Sequence, residues 1–82
     1  MITFDYVTKE AAEGGGWDIQ IGLKFDDEPE ELYVAHVHMD DQGILGVPVL
    51  YFNGMDCRYA WKTDERVALE TFVRQSTARI GE

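Results

Sequence analysis

Alternation of apolar and polar residues predicts strands over most of the first sixty residues. Ile2, Phe4 and Tyr6 alternate with Thr3 and Asp5, the period of two that is typical of a strand with one buried face. The alternation stops from 9 to 16, where three consecutive glycines favour a loop. It resumes over 17–25, where every second residue is apolar or aromatic. Residues 17–25 are therefore the strongest strand prediction in the chain.

Two further connections and a third strand follow. Residues 26–31 contain five carboxylates and Pro29, and this composition predicts a connecting segment. Residues 32–39 combine β-branched and aromatic residues with alternation, which predicts a strand. Residues 40–43 then have the composition of a turn.

Asn53-Gly54 predicts a β-hairpin, because a type I′ turn requires a positive φ at both central residues. Counting outward from this turn places Phe52 opposite Met55 and Leu50 opposite Cys57, so that one face of the hairpin is apolar. Cys57 is accordingly predicted to be a buried structural thiol.

An amphipathic helix is predicted at the end of the chain. Thr63 is the predicted N-cap, with two acids in the first turn, and Gly81 is predicted to end the helix. One stripe of the helix is mainly apolar, formed by Leu69, Phe72, Val73, Ser76 and Ile80. The sequence therefore predicts a single α+β domain over 1–82, with about five antiparallel strands and one C-terminal helix packed on one face of the sheet.

Charge is distributed unevenly along the chain. Residues 1–57 carry twelve Asp and Glu but only two Lys, whereas residues 58–82 carry four acids and five bases. A folded surface with this imbalance attracts cations and basic proteins and repels nucleic acid and anionic membranes. We therefore expect a basic protein partner, with no direct binding of nucleic acid or membrane.

Acidic residues of the connections at 26–31 and 40–43, and of the second strand, are the candidate partner-binding residues, together with Tyr51 as an aromatic anchor beside them. Carboxylates two apart on a strand are about 6.6–7 Å apart, a spacing similar to that of successive phosphates, so such a surface imitates a polyanion. The alternative interpretation is that these are solvated turns that keep a small protein soluble. The candidates are Asp18, Asp26, Asp27, Glu28, Glu30, Glu31, Asp40, Asp41 and Tyr51.

A metal site is a second chemical hypothesis. His36, His38 and Asp40 follow one another at every second position, and two imidazoles with a carboxylate are a common beginning of a zinc or iron site. This hypothesis needs a further ligand, because the chain has no third histidine. The acidic run at 26–31 lacks the spacing of a calcium loop. No cofactor is expected.

Known catalytic motifs are absent from the sequence. Ser76 is the only serine and lies outside any G-x-S-x-G turn, and the glycines at 14–16 precede a strand, so they lack the helix N-terminus of a phosphate-binding loop. The chain is therefore expected not to be an enzyme. One cysteine, no basic leader and no long apolar stretch favour a cytoplasmic protein.

In size, acidity and predicted fold, the chain resembles the small phage-encoded anti-CRISPR proteins. Several of those are acidic proteins that occupy the DNA-binding surface of a CRISPR effector complex. The resemblance covers the overall character of the whole chain and involves no motif, so it assigns no residue. Immunity proteins, antitoxins that neutralise basic nucleases and other DNA-mimicking inhibitors are similar for the same physical reason.

The sequence thus favours a non-enzymatic inhibitor that binds a basic, nucleic-acid-binding protein by charge. The alternatives are a small metal-binding protein that uses His36, His38 and Asp40, and a structural or accessory subunit of a larger assembly. The chain is expected to be a monomer or a homodimer, with an unpaired edge strand as the route to a dimer.

Overall fold

A five-stranded antiparallel sheet with one helix on one face forms the protein, which confirms the predicted α+β class. The computed structural model describes the backbone of residues 2–80 and the side chains of residues 2–76. Each strand pairs with its neighbour in sequence, and α1 (Thr63–Ile80) follows the sheet. The strands are β1 (Ile2–Ala11), β2 (Trp17–Phe25), β3 (Glu28–Met39), β4 (Val49–Phe52) and β5 (Met55–Asp56).

The core lies between the sheet and α1. Alternate residues of the two central strands point towards the helix, and Leu69 and Val73 of α1 are fully buried against them. Phe72 stacks on Phe4 of β1, with ring centroids 4.6 Å apart. The predicted apolar stripe is thus confirmed as far as the side chains are described; the side chain of Ile80 and the predicted stop at Gly81 lie outside that part. The buried sheet residues are Ile19, Ile21, Leu23, Ala35, Val37, Met39 and Leu50.

Strand β1 is longer than predicted and contains a bulge. It continues to Ala11, through residues that were predicted to be a loop. Phe4 pairs with Leu23, but Tyr6 pairs with Gly22, so one extra residue lies between them. This insertion turns Tyr6 to the face opposite Phe4, and the prediction that both share a face is wrong. The Tyr6 ring lies over Gly22, where any Cβ would clash with it.

Strand β3 begins four residues earlier than predicted. The connection from β2 is only the two residues Asp26 and Asp27, because Phe25 already pairs with Glu28. The next pair is Leu23 with Tyr33, so one residue of β2 faces four residues of β3. Pro29 has no N–H to donate to the ladder, which is consistent with a break there. Residues 29–32 therefore bulge out of regular pairing.

The hairpin from β4 to β5 confirms the predicted turn and its first pairs. Asn53 and Gly54 have φ of 52° and 79°, and Phe52 pairs with Met55. The Cys57 amide donates to the Leu50 carbonyl at 2.9 Å, as predicted. The Cys57 side chain is nevertheless exposed, so its predicted burial is wrong. Strand β5 ends after two residues, and Arg58 with φ of 51° turns the chain out of the strand.

The start of α1 is fixed by Glu65. The Lys62 carbonyl accepts the first intrahelical bond from the Arg66 amide at 3.0 Å, so Lys62 is the N-cap and the prediction of Thr63 is one residue late. Glu65 accepts a hydrogen bond from the Lys62 amide at 2.9 Å, as in a capping box. The Tyr59 hydroxyl donates to the same carboxylate at 2.7 and 2.8 Å.

Because the Tyr59 hydroxyl donates to Glu65, the protein is expected to lose stability at alkaline pH. Burial, and then the hydrogen bond to Glu65, raise the pKa of Tyr59 from 10.0 to about 12. The unfolded chain loses this proton near pH 10 while the folded chain retains it, so the stabilisation is complete below pH 10 and is lost as pH rises towards 12. Urea titrations give the free energy of unfolding at pH 9 and at pH 11.5. Its fall between these two pH values should be larger in the native chain than in Tyr59→Phe, by on the order of 1–2 kcal/mol. Tyr51→Phe, on the other face, should behave as the native chain; an equal alkaline loss in Tyr59→Phe would contradict the assignment.

Within the described residues, no helix has the length and apolar content needed to cross a membrane.

Candidate functional site

The face of the sheet opposite α1, here called the open face, carries polar and aromatic side chains. Directly paired residues of neighbouring strands lie on the same face, so the register arranges these side chains in rows across the sheet. Three rows follow from the pairing: Glu10, Asp18 and His38; Thr8, Gln20, His36 and Val49; and Tyr6, Gly22, Val34, Tyr51 and Asp56. His36 and His38 both lie on this face and are exposed.

One end of the sheet, here called the loop end, gathers five carboxylates. The loop after β1 and the loop after β3 meet here, because Gly16 lies against the backbone of Met39 and Asp40. A side chain at position 16 would clash with that backbone, and its φ of 79° also favours glycine. The carboxylates are those of Glu10, Glu13, Asp18, Asp40 and Asp41.

Sequence reasoning missed two of these acids. The loop predicted at 9–16 contains Glu10 and Glu13, yet β1 continues to Ala11 and pairs Glu10 directly with Asp18. Two like charges in direct cross-strand pairing are unfavourable to the fold. No local signal marked this extension, because residues 8–10 are all polar and three glycines follow at 14–16.

The opposite end of the sheet, here called the turn end, gathers five more carboxylates. All five are exposed. Glu28 accepts a hydrogen bond from the Tyr33 hydroxyl at 3.1 Å, and partial burial followed by this hydrogen bond raises the pKa of Tyr33. Because residues 29–32 are not held by the ladder, the regular strand spacing of carboxylates does not extend through this end. The carboxylates are those of Asp26, Asp27, Glu28, Glu30 and Glu31.

The predicted acidic residues thus form two groups, not one continuous stripe. Strand β2 joins the two ends and has nine residues, which spans about 27 Å. The whole molecule is 35 Å long. The two acidic connections therefore lie at opposite ends of the third strand, with Asp18 on the open face near the loop end.

Asp40 has a structural role in addition to its charge. Its Oδ1 accepts hydrogen bonds from the backbone amides of Gln42 and Ile44, both at 2.9 Å. The backbone of Asp40 closes the same turn through Gly43 at 3.0 Å. Replacement of Asp40 would therefore alter the loop as well as the surface charge.

The three residues of the metal hypothesis each contact something different. His38 Nδ1 lies 3.2 Å from Asp18 Oδ1, the His36 ring packs against Tyr51 with centroids 4.6 Å apart, and Asp40 binds backbone amides. Among the described side chains, no group of three or more His, Cys, Asp or Glu is placed to hold a metal ion. The pair of histidines therefore gains no further ligand from the fold.

Two shallow depressions lie side by side on the open face. One has a volume of about 390 Å³ and is lined by the row of Glu10, Asp18 and His38 and by its neighbours. The other, of about 350 Å³, surrounds Tyr51. His36 lines both, and Tyr51 is half-buried. The predicted aromatic candidate therefore lies on β4, towards the β5 edge of the open face, with acids towards the loop end.

Three basic residues lie on the helix side of the molecule. Lys62, Arg66 and Arg74 belong to α1 or its N-cap and are exposed. Arg74 pairs with Glu70 one turn away, at 3.0 Å. On the sheet, Lys9 lies over the Trp17 ring, 4.3 Å from its centroid. Lys24 pairs with Thr3 on the open face, so the sheet is mainly but not wholly acidic and the helix is of mixed charge.

No protein-family model matches this chain, and no curated protein or solved structure matches it.

Proposed function

We propose that this protein is a non-enzymatic inhibitor that binds the basic surface of a nucleic-acid-binding protein, in the manner of the anti-CRISPR proteins it resembles. The observation that supports this most is the gathering of ten carboxylates at the two ends of the sheet. The side chains of Glu10, Glu13, Glu30 and Asp41 are exposed and form neither a hydrogen bond nor an ion pair with any described residue. These carboxylates are available to lysine and arginine of a partner.

The distance between the two ends indicates how long the partner's basic surface is. At physiological salt the Debye length is about 8 Å, so two groups about 27 Å apart act as separate acidic patches. On one strand of B-DNA, about 27 Å corresponds to about eight phosphate steps of 3.4 Å. A groove that binds a stretch of duplex presents basic residues over such a length. We therefore propose that the partner's nucleic-acid groove contacts both ends at once.

The open face between the two ends supplies an apolar and aromatic centre. Tyr51, His36 and Val34 lie together there. Interfaces commonly combine a buried aromatic anchor with a charged rim. In this proposal the acids steer association and set its salt dependence, while Tyr51 slows dissociation.

Truncation of Tyr51 is expected to weaken partner binding without unfolding the protein. The ring is half-buried and lies on the open face, away from the core under α1. Tyr51→Ala should raise the Kd by about 10-fold to 50-fold, the usual range for a central aromatic residue. Met55→Ala is the control, because Met55 is 73% exposed on the same hairpin and pairs with Phe52, whose side chain points to the other face. Equal effects of both changes would contradict a central role for Tyr51.

The proposal is tested by affinity capture of the partner from a native host lysate at about 50 mM and about 500 mM salt. A charge-driven complex is screened at the higher salt, so a basic nucleic-acid-binding protein should be captured at the lower salt and largely lost at the higher. Capture of the same protein at both salts would overturn the proposal in favour of an apolar interface, as expected of an accessory subunit.

A further inference from the structure

The outer edge of β1 is a second interaction surface. Strand β1 has ten residues, and no described strand pairs with its outer side. An unpaired edge of this length presents a row of free N–H and C=O groups to another strand. The other edge of the sheet is protected, because β5 has two residues and Arg58 ends it with a positive φ.

The usual protections of an edge strand are weak in β1. The bulge lies between Phe4 and Tyr6, and pairing with β2 is regular from Tyr6 to Ala11. Lys9 is the only base on the strand, and a lysine commonly blocks edge pairing. Its ammonium, however, lies over the ring of Trp17 on the neighbouring strand, and so towards the inside of the sheet.

The sequence of this regular segment is complementary to itself. An antiparallel pair of identical strands with Thr8 on the two-fold axis places Val7 opposite Lys9 and Tyr6 opposite Glu10. No two like charges are directly opposite, and each pair shares a face of the sheet. A shift of the axis to Lys9 or Glu10 would place identical charges opposite each other. An axis at Val7 would carry the pairing into the bulge at Asp5.

We propose that two copies of this chain associate through antiparallel pairing of β1 over Tyr6–Glu10, with Thr8 on the axis, to form one continuous ten-stranded sheet. Each copy has a net charge of −9, so the copies repel each other and salt strengthens the dimer by screening this repulsion. Binding of a basic partner has the opposite salt dependence. The two interactions are therefore distinguishable, and the dimer does not depend on the proposed function.

Sedimentation equilibrium at chain concentrations up to about 1 mM tests the dimer, since this range detects a Kd near that value. We expect the dimer Kd to fall by about 3-fold to 10-fold between about 50 mM and about 500 mM NaCl. Thr8→Glu places two carboxylates directly opposite at the axis and should raise the Kd at least about 10-fold. Gln20→Glu adds the same charge in the same row of the open face, but on β2 instead of β1. It should change the dimer Kd by less than about 3-fold. A monomer at every salt concentration, or equal effects of the two variants, would overturn the proposal.

A disulfide tests the axis itself. In a chain that carries Cys57→Ser, Thr8→Cys should form a covalent dimer in mild oxidant, because directly opposed positions have Cβ atoms about 4.5–5.5 Å apart. Gln20→Cys in the same chain should not, because three strand spacings of about 4.8 Å separate the two copies of residue 20. Circular dichroism establishes that both variants are folded. Covalent dimer formed equally by both, or by neither, would contradict the pairing.

Discussion

Reversal of two acids at either end of the sheet is expected to abolish partner binding while the fold is retained. Glu30→Lys with Glu31→Lys changes the turn end, and Glu13→Lys with Asp41→Lys changes the loop end. All four side chains are exposed, and exposed carboxylates contribute little to stability. Each reversed residue would place a positive charge against a basic surface, so each double variant should raise the Kd by at least about 100-fold at low salt. Binding of the captured partner is measured by isothermal titration calorimetry.

The matched control has the same net charge on the helix side. Asp64→Lys with Glu70→Lys also changes the charge by four units, from −9 to −5, but both residues lie on α1. This control costs about 1 kcal/mol of stability through the helix dipole and the lost pair with Arg74, so binding is compared well below its unfolding temperature. It should bind within about 5-fold of the native chain. If all three variants lost binding equally, net charge alone would explain the effect and the assignment of the two ends would be wrong.

Leu69→Ala is expected to have the largest effect on stability. Leu69 is 1% exposed and lies between α1 and the sheet. Replacement of a buried leucine by alanine leaves a cavity and costs about 3 kcal/mol, a large share of the about 5–10 kcal/mol expected for a small domain. Urea unfolding should show a lower midpoint with little change in slope. Val67→Ala is the control on the same helix: Val67 is 58% exposed, and its loss should cost less than about 0.5 kcal/mol. Equal costs would contradict the packing described for α1.

Two kinds of element were predictable from the sequence: strands with strict alternation and turns with a strong sequence signal. Residues 17–25 and the Asn53-Gly54 hairpin agree with the structure because each rests on one local rule, the period of a half-buried strand and the positive φ of a type I′ turn. The apolar stripe of α1 was predictable for the same reason, since Leu69 and Val73 are one turn apart.

The bulges were not predictable, because an inserted residue changes which face a side chain occupies without changing local composition. Tyr6 and the acids of residues 29–32 were misplaced for this reason. Cys57 was misplaced because the hairpin was extrapolated beyond Asp56, where β5 ends. Arg58 then turns the chain out of the strand with a positive φ that its residue type rarely adopts.

The acidic surface was partly predictable. Its residues in the two connections after β2 and β3 follow directly from composition, and their location at opposite ends follows from the antiparallel order. Two other features were not predictable: the partition of the acids into two separate patches, and the addition of Glu10 and Glu13 at the loop end. Both depend on the length of β1 and on the contact of Gly16 with Asp40. Such contacts join residues far apart in sequence, and no local pattern reports them.

The central claim is that the acidic ends occupy the nucleic-acid site of a basic partner, and competition tests it most directly. The partner captured from the lysate is purified, loaded with a labelled duplex of its preferred nucleic acid, and titrated with this protein while fluorescence anisotropy reports the bound duplex. We expect the native chain to displace the duplex completely, the helix-side control to do the same, and the turn-end and loop-end variants to require at least about 100-fold more protein. Formation of a ternary complex, with the duplex still bound at saturating protein, would contradict the account.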